Sequence, residues 1–189
     1  MNLRIMPYLL ALALALSPAS GALPDIPQAA VPECSLSAGG GQVDFGRSSP
    51  AQLRPTAGGM TPGVRRLLVS ASCTLAQEMR LRADGPASGA AFRWGEGGGT
   101  LRIHIERAQL DGDDVQLARI IAGDSRTGDA VSRLPLRPGE GFVVLRHGAP
   151  ARGRLLTLSL TLEPLLSGQE SHPRQRVRTD GWLDLTLLP

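Results

Sequence analysis

"LLTLSLTLE", residues 155–163, sets Leu156, Leu158, Leu160 and Leu162 against Thr157, Ser159 and Thr161. Successive side chains of an extended chain point to opposite faces, so this period of two lays a leucine face on a core and leaves a hydroxyl face to water. The same period returns on either side of the stretch. In "EMRLRAD", Met79, Leu81 and Ala83 alternate with Glu78, Arg80, Arg82 and Asp84. In "TLRIHIE", Leu101, Ile103 and Ile105 oppose Arg102, His104 and Glu106, and in "WLDLTLL", Leu183, Leu185 and Leu187 oppose Asp184 and Thr186. Shorter strands are expected over 42–45, 65–71, 115–121, 131–136 and 142–146, and "DDVQLARIIAG" is the one segment in which helix and strand compete.

Turn signals separate these runs: "DGPASG", "GEGGG", "LDGDD", "AGDSRTGD", "RPGEG" and "HGAPARG". About eight or nine short strands parted by glycine- and proline-rich turns predict an all-β chain folded as an antiparallel sandwich. There is no internal repeat and no dividing linker, and "RSSPAQLRPTAGGMTPG", residues 47–63, reads as a long connection inside the domain.

The beginning of the chain sets the compartment. Residues 1–22, "MNLRIMPYLLALALALSPASGA", have a positive Arg4, an apolar core over 5–16, then Pro18 and small residues. Ser20 and Ala22 occupy the −3 and −1 positions of a signal-peptide cut after Ala22, and a cut after Gly21 serves nearly as well. The core is too short for the ~30 Å bilayer interior, which takes about 20 residues. The expectation is export, with a short segment over 23–33 leading into one domain over 34–189.

Export places the two cysteines, Cys34 and Cys73, in an oxidising space, where a disulfide is expected in preference to a metal pair or two buried thiols. A structural zinc site takes about four ligands, and His104, His147 and His172 are scattered without ligand spacing, so neither metal nor cofactor is expected. Closing a loop of roughly 40 residues stabilises a fold by about 4 kcal/mol on chain-entropy grounds.

The calculated pI of 9.6 suggests nucleic acid, but the net charge is only +3 and includes Arg4. Every basic residue is arginine, which a coding bias explains. The arginines alternate along strands, and two tryptophans, one tyrosine and three phenylalanines are few for stacking bases. No nucleic-acid partner is expected. Nor does any motif build an active site. Arg146-His147-Gly148 resembles the signature of histidine phosphatases, but it lies late in an all-β chain with only His172 after it, and reads as a strand end running into a turn. "GDS" at 123–125 lacks a partner histidine, "GEGGGT" at 95–100 lacks the Lys-Ser/Thr of a phosphate loop, and Asp111, Asp113 and Asp114 lack the remaining ligands of a calcium loop. The chain is not expected to be an enzyme.

The stretch "PECSLSAGGGQVDFGRSSPAQL" carries a resemblance. An early cysteine, a second about forty residues later and a signal peptide close upstream are similar to the subunits of chaperone–usher fimbriae. Pro32, Cys34, Gly40, Gly41, Val43, Asp44, Phe45 and Gly46 match one branch of those subunits, long filed as a domain of unknown function, and "TDGWLDLTLLP" resembles its ending. The match is specific at the two ends and in the cysteine spacing, and the middle agrees only as pattern. The resemblance implies an immunoglobulin-like (pilin-type) sandwich that lacks its final strand, with a disulfide tying the first strand to the second. A hydrophobic groove is then left open, to be filled by a strand from a periplasmic chaperone and afterwards by the extension of the next subunit. Leu183, Leu185 and Leu187 would line that groove. Residues 23–33, with Ile26, Ala29 and Val31 as pocket-filling side chains, would be this chain's own donor extension.

The function so implied is that of a structural subunit of a fimbria on a Gram-negative cell surface. It would be exported through the periplasm and partnered by the chaperone, an outer-membrane usher and neighbouring subunits, with adhesion to a host or surface receptor as a further role. Pro24, Pro27 and Pro32 remove backbone donors from the extension, and Leu188 stands where many pilins carry an aromatic. Both departures point to a minor, tip or adaptor subunit. The alternative is a self-contained exported module that binds a glycan or protein, in which residues 183–187 form an ordinary closing strand.

Overall fold

The structure, a computed structural model, describes residues 33–121, 128–168, 170–172 and 178–188. The expected signal peptide, Ile26, Ala29 and Val31 of the extension, and the "GDS" turn lie outside the described residues. Within them the chain is all-β. Its strands are β1 (Cys34–Ala38), β2 (Arg54–Thr56), β3 (Gly59–Thr61), β4 (Arg65–Glu78), β5 (Arg80–Asp84), β6 (Ala87–Ser88), β7 (Ala91–Trp94) and β8 (Gly99–Leu110). They continue with β9 (Asp113–Asp114), β10 (Gln116–Ile120), β11 (Leu134–Leu136), β12 (Glu140–Arg146), β13 (Ala149–Pro150), β14 (Arg152–Leu165) and β15 (Asp184–Leu187).

Two antiparallel sheets form the sandwich. One runs β1-β4-β14-β8-β7-β6, with β9 and β11 also on β8; the other runs β10-β12-β5-β15, with β13 on β12. Only Met79, fully buried, separates β4 in the first sheet from β5 in the second, so the chain crosses the core there in a single step. In chain order, β1-β4-β14-β8 reproduces the A-B-E-D sheet of an immunoglobulin domain, and β5-β15 its C-F pair. An immunoglobulin domain has strand G beyond F. Among the described residues no strand lies beyond β15.

The alternating leucines behave as their period dictates. β14 lies between β4 and β8, and Leu156, Leu158 and Leu160 are at most 1% exposed. They meet Leu81, Phe142, Val144 and Leu117 within one core. Burial of each such side chain contributes roughly 1.5–3 kcal/mol. Leu155, one position off the leucine face, is exposed.

Three readings change. The strand expected over 42–45 is absent, although its alternation survives: Val43 and Phe45 are half-buried while Gln42 and Asp44 are exposed. A strand is a ladder, and this segment has no ladder neighbour. The strand expected over 131–136 begins only at Leu134, with Val131 held by a lone bridge to Leu117. The strand expected over 65–71 runs on to Glu78. The ambiguous "DDVQLARIIAG" is extended, as β9 and β10, as far as Ile120. Residues 47–63 are a connection containing a single 3-10 turn and the β2–β3 hairpin, which is bridged to the end of β14 through Met60 and Leu166.

Candidate functional site

Sheet edges carry unpaired backbone groups, and a stable fold blunts them. The β10 edge is covered: Leu117 and Val131 exchange N–H···O bonds of 2.8 Å, and the Gly128 N–H donates to Arg119 O at 2.8 Å. At the far end of the first sheet, β6 is only two residues long. Among the described residues β1 has one ladder neighbour, β4, and β15 has one, β5. These two bare edges approach one another across the sandwich.

Between them lies an open groove of about 1840 Å³. Its floor is the core itself: Leu36 of β1, Leu67 and Val69 of β4, Leu101 of β8, Leu162 of β14 and Trp94 of β7. One wall is β15 with Leu183 just before it. The other is β1 together with residues of 41–53, which leave β1 and run along the cavity. Leu183 and Leu185 line the groove. Leu187, expected beside them, packs on the core but lies outside the cavity lining. Leu187 stands opposite the fully buried Leu81 in the β5–β15 ladder.

Residues 42–45, among those that line the groove, keep the alternation of a strand without its ladder. Val43 and Phe45 point toward the core, and the Phe45 ring meets Trp94 edge-on at 5.3 Å. The Arg65 guanidinium lies over Phe45, 5.7 Å from its centroid, while Arg65 Nε donates to the Asp44 carbonyl at 3.3 Å. Asp44 Oδ1 takes the Gly46 N–H at 2.7 Å. Side-chain contacts thus hold this segment against the core without a backbone ladder. Trp182, 58% exposed, stands at the groove's margin next to β15.

Cys34 and Cys73 form the disulfide, directly opposite one another in the β1–β4 ladder with Cα atoms 4.1 Å apart. The bond pins β1, and with it one wall of the groove, to the sheet. The remaining motifs settle into structural places. Arg146 ends β12, and His147 (φ 53°) and Gly148 (φ 79°) make the turn into β13, as the strand-end reading of "RHG" has it. His104 is exposed on β8, and His172 lies 3.1 Å from the Ser171 hydroxyl. Among the described residues no group of three or more His, Cys, Asp or Glu side chains is placed to hold a metal ion.

The aspartates of "LDGDD" have structural duties that the sequence did not disclose. Asp111 accepts the backbone N–H groups of Arg154 at 3.0 Å and Leu155 at 2.8 Å, where β14 slips register against β4. Asp113 pairs with Arg146 at 3.2 Å. Asp114 pairs with Arg107 through both carboxylate oxygens, at 2.7 and 2.9 Å. The hydrogen bonds from Arg107, helped by its charge, hold the Asp114 carboxyl below the ordinary aspartate value. A local signal for Asp111 existed in the Asp-Gly turn, but its partners lie more than forty positions away in the chain.

Comparison with known protein families finds no match, and no curated protein matches the chain. Among solved structures the chain is similar to the P pilus rod subunit PapA, with 18% identity, coverage of 82% of this chain and 99% of that chain, and a TM-score of 0.35. Likeness of fold does not by itself assign function.

Proposed function

We propose that this protein is a structural subunit of a surface fimbria, assembled by the chaperone–usher route through donor-strand exchange. The observation that carries the reading is the groove: among the described residues no strand lies beyond β15, and the edges of β1 and β15 flank one largely apolar cavity. An added strand has what it needs there. β15 offers backbone groups on one side, β1 offers them on the other, and the floor of leucine, valine and tryptophan accepts alternate side chains. A chain left with such an edge and groove is an aggregation hazard, so a periplasmic chaperone fills it first and a neighbouring subunit afterwards. The work is non-covalent polymerisation, with no reaction performed.

The segment 23–33 serves as the donor extension, with Ile26, Ala29 and Val31 as its apolar side chains. Its three prolines make it a weak donor for a repeating shaft, which favours a minor, tip or adaptor position and leaves room for an adhesive role.

The test is expression to the periplasm with and without a cognate chaperone. Alone, the chain should aggregate or be degraded; with the chaperone it should be captured as a soluble complex. Leu185→Asp should abolish capture, because an unpaired carboxylate in the filled groove is strongly disfavoured. Thr186→Asp, on the exposed face of the same strand, should leave capture intact. A wild-type chain that accumulates in the periplasm without a chaperone as a soluble monomer, and takes up no added strand peptide, would replace this reading with the self-contained binding module.

A further inference from the structure

We propose that Glu170 is the residue that holds the groove open for its partner: a positioning residue that seats the β14–β15 connection on the β7–β8 hairpin and so fixes β15 as a wall. This rests on the groove being a strand acceptor and concerns how the acceptor is held ready. β15 is a short edge strand with a ladder on one side only. A ladder of this length does not by itself hold an edge strand firmly, and such segments open locally at low cost.

The fastening is visible atom by atom. Glu170 Oε1 accepts the Gly97 N–H at 3.0 Å, and Oε2 accepts the Ser167 N–H at 3.2 Å. The Ser167 hydroxyl stands between Gly97 O, at 2.9 Å, and Glu170 Oε2, at 3.2 Å, and donates its one proton to either. One carboxylate thus ties the end of β14 to the turn between β7 and β8 through charge-assisted bonds, the strong kind. The hairpin is shaped to receive it. A Cβ on Gly97 would stand 2.5 Å from Glu170 Cγ, and one on Gly99 would stand 2.6 Å from Glu170 Oε2. Gly97 and Gly99 of "GEGGG", a stretch that lacks the partners of a phosphate loop, are therefore accounted for by one side chain from a distant part of the chain.

A second fastening follows immediately before β15. The Gly95 N–H donates to Asp180 O at 2.8 Å, and Gly181 packs so closely on Arg93 that a Cβ would stand 2.8 Å from its carbonyl oxygen. Trp182, Leu183 and β15 come next. The same hairpin carries Trp94, part of the groove floor. Floor and wall are thereby held to one another, and Glu170, with Ser167, is the side chain that ties the chain to this hairpin after it leaves β14.

The experiment is backbone hydrogen exchange, read by mass spectrometry, on the dilute refolded chain as wild type, Glu170→Ala and Glu170→Gln. Loss of the carboxylate's bonds should speed exchange at Gly97 and across residues 183–187 by on the order of tenfold or more, while β8 and the centre of β14 keep wild-type protection. Glu170→Gln keeps one acceptor oxygen and should fall between the two. It also carries the test if the alanine variant does not fold. Wild-type exchange across 183–187 in the folded variants overturns the proposal. A parallel arm adds a synthetic peptide of alternating valine and threonine and follows tryptophan fluorescence. If the wild type takes no peptide but the exchange result holds, the strand-acceptor reading fails while the positioning role stands. If wild type and both variants bind the peptide equally and exchange alike, the positioning role fails while the groove stands.

Discussion

Removing the Cys34–Cys73 disulfide tests the physical account of the groove wall most directly. The two residues are 39 positions apart. Restricting an unfolded chain by a loop of that length is worth about 4 kcal/mol at 25 °C. Domains of this size are stable by only about 5–15 kcal/mol, so the loss is a large fraction of the whole. Alanine is the right replacement, because Cys73 is only 6% exposed and a serine hydroxyl there would add its own burial cost. With a urea slope of about 2 kcal/mol per molar, Cys34→Ala/Cys73→Ala should lower the midpoint by about 2 M. The assay is urea unfolding of the dilute refolded chain, followed by circular dichroism, beside the oxidised wild type. The constraint acts on the unfolded chain, since Ser35–Ser72 and Leu36–Ala71 still pair in the same ladder without it. Refolding should therefore slow more than unfolding quickens. A midpoint shift under about 0.3 M would refute the loop argument. A loss seen wholly as faster unfolding would place the bond's effect in native packing instead.

Leu158→Ala, at a 1% exposed site facing the second sheet, should cost about 2–5 kcal/mol, whereas Ser159→Ala beside it on the outer face should change stability by less than about 0.5 kcal/mol; both are read from the same urea curves. The Asp114 carboxyl should titrate below 3.8 by NMR and return toward that value in Arg107→Gln. Because its folded pKa is depressed, the pair's small contribution is present above the unfolded value and is lost as pH falls through the folded one. His147 sits at φ 53°, so His147→Gly should leave the thermal melt unchanged or raise stability by up to about 1 kcal/mol, and His147→Val should lower it. Phosphatase activity that disappears with His147→Ala would overturn the strand-end reading of that motif.

Local pattern alone determined the strands, because alternation is a property of consecutive residues: Leu156 to Leu162, Leu101 to Ile105 and Met79 to Ala83 all bury the side that their spacing assigns. The turns at Asp111-Gly112 and His147-Gly148 were legible for the same reason. Pairing is a different kind of fact. Val43 and Phe45 carry the alternation of a strand and form none, because among the described residues no ladder neighbour stands beside them. Leu187 shares the period of Leu183 and Leu185 but is not among the residues that line the groove. Only the tertiary structure brings β1 and β15, from opposite ends of the domain, to the two sides of one cavity. The same holds for Glu170, whose partner Gly97 is 73 positions away and whose local sequence gives no hint of it. A residue's own neighbours set its conformation and its face, while edges, grooves and fastenings are relations between distant segments, which only the packed chain decides.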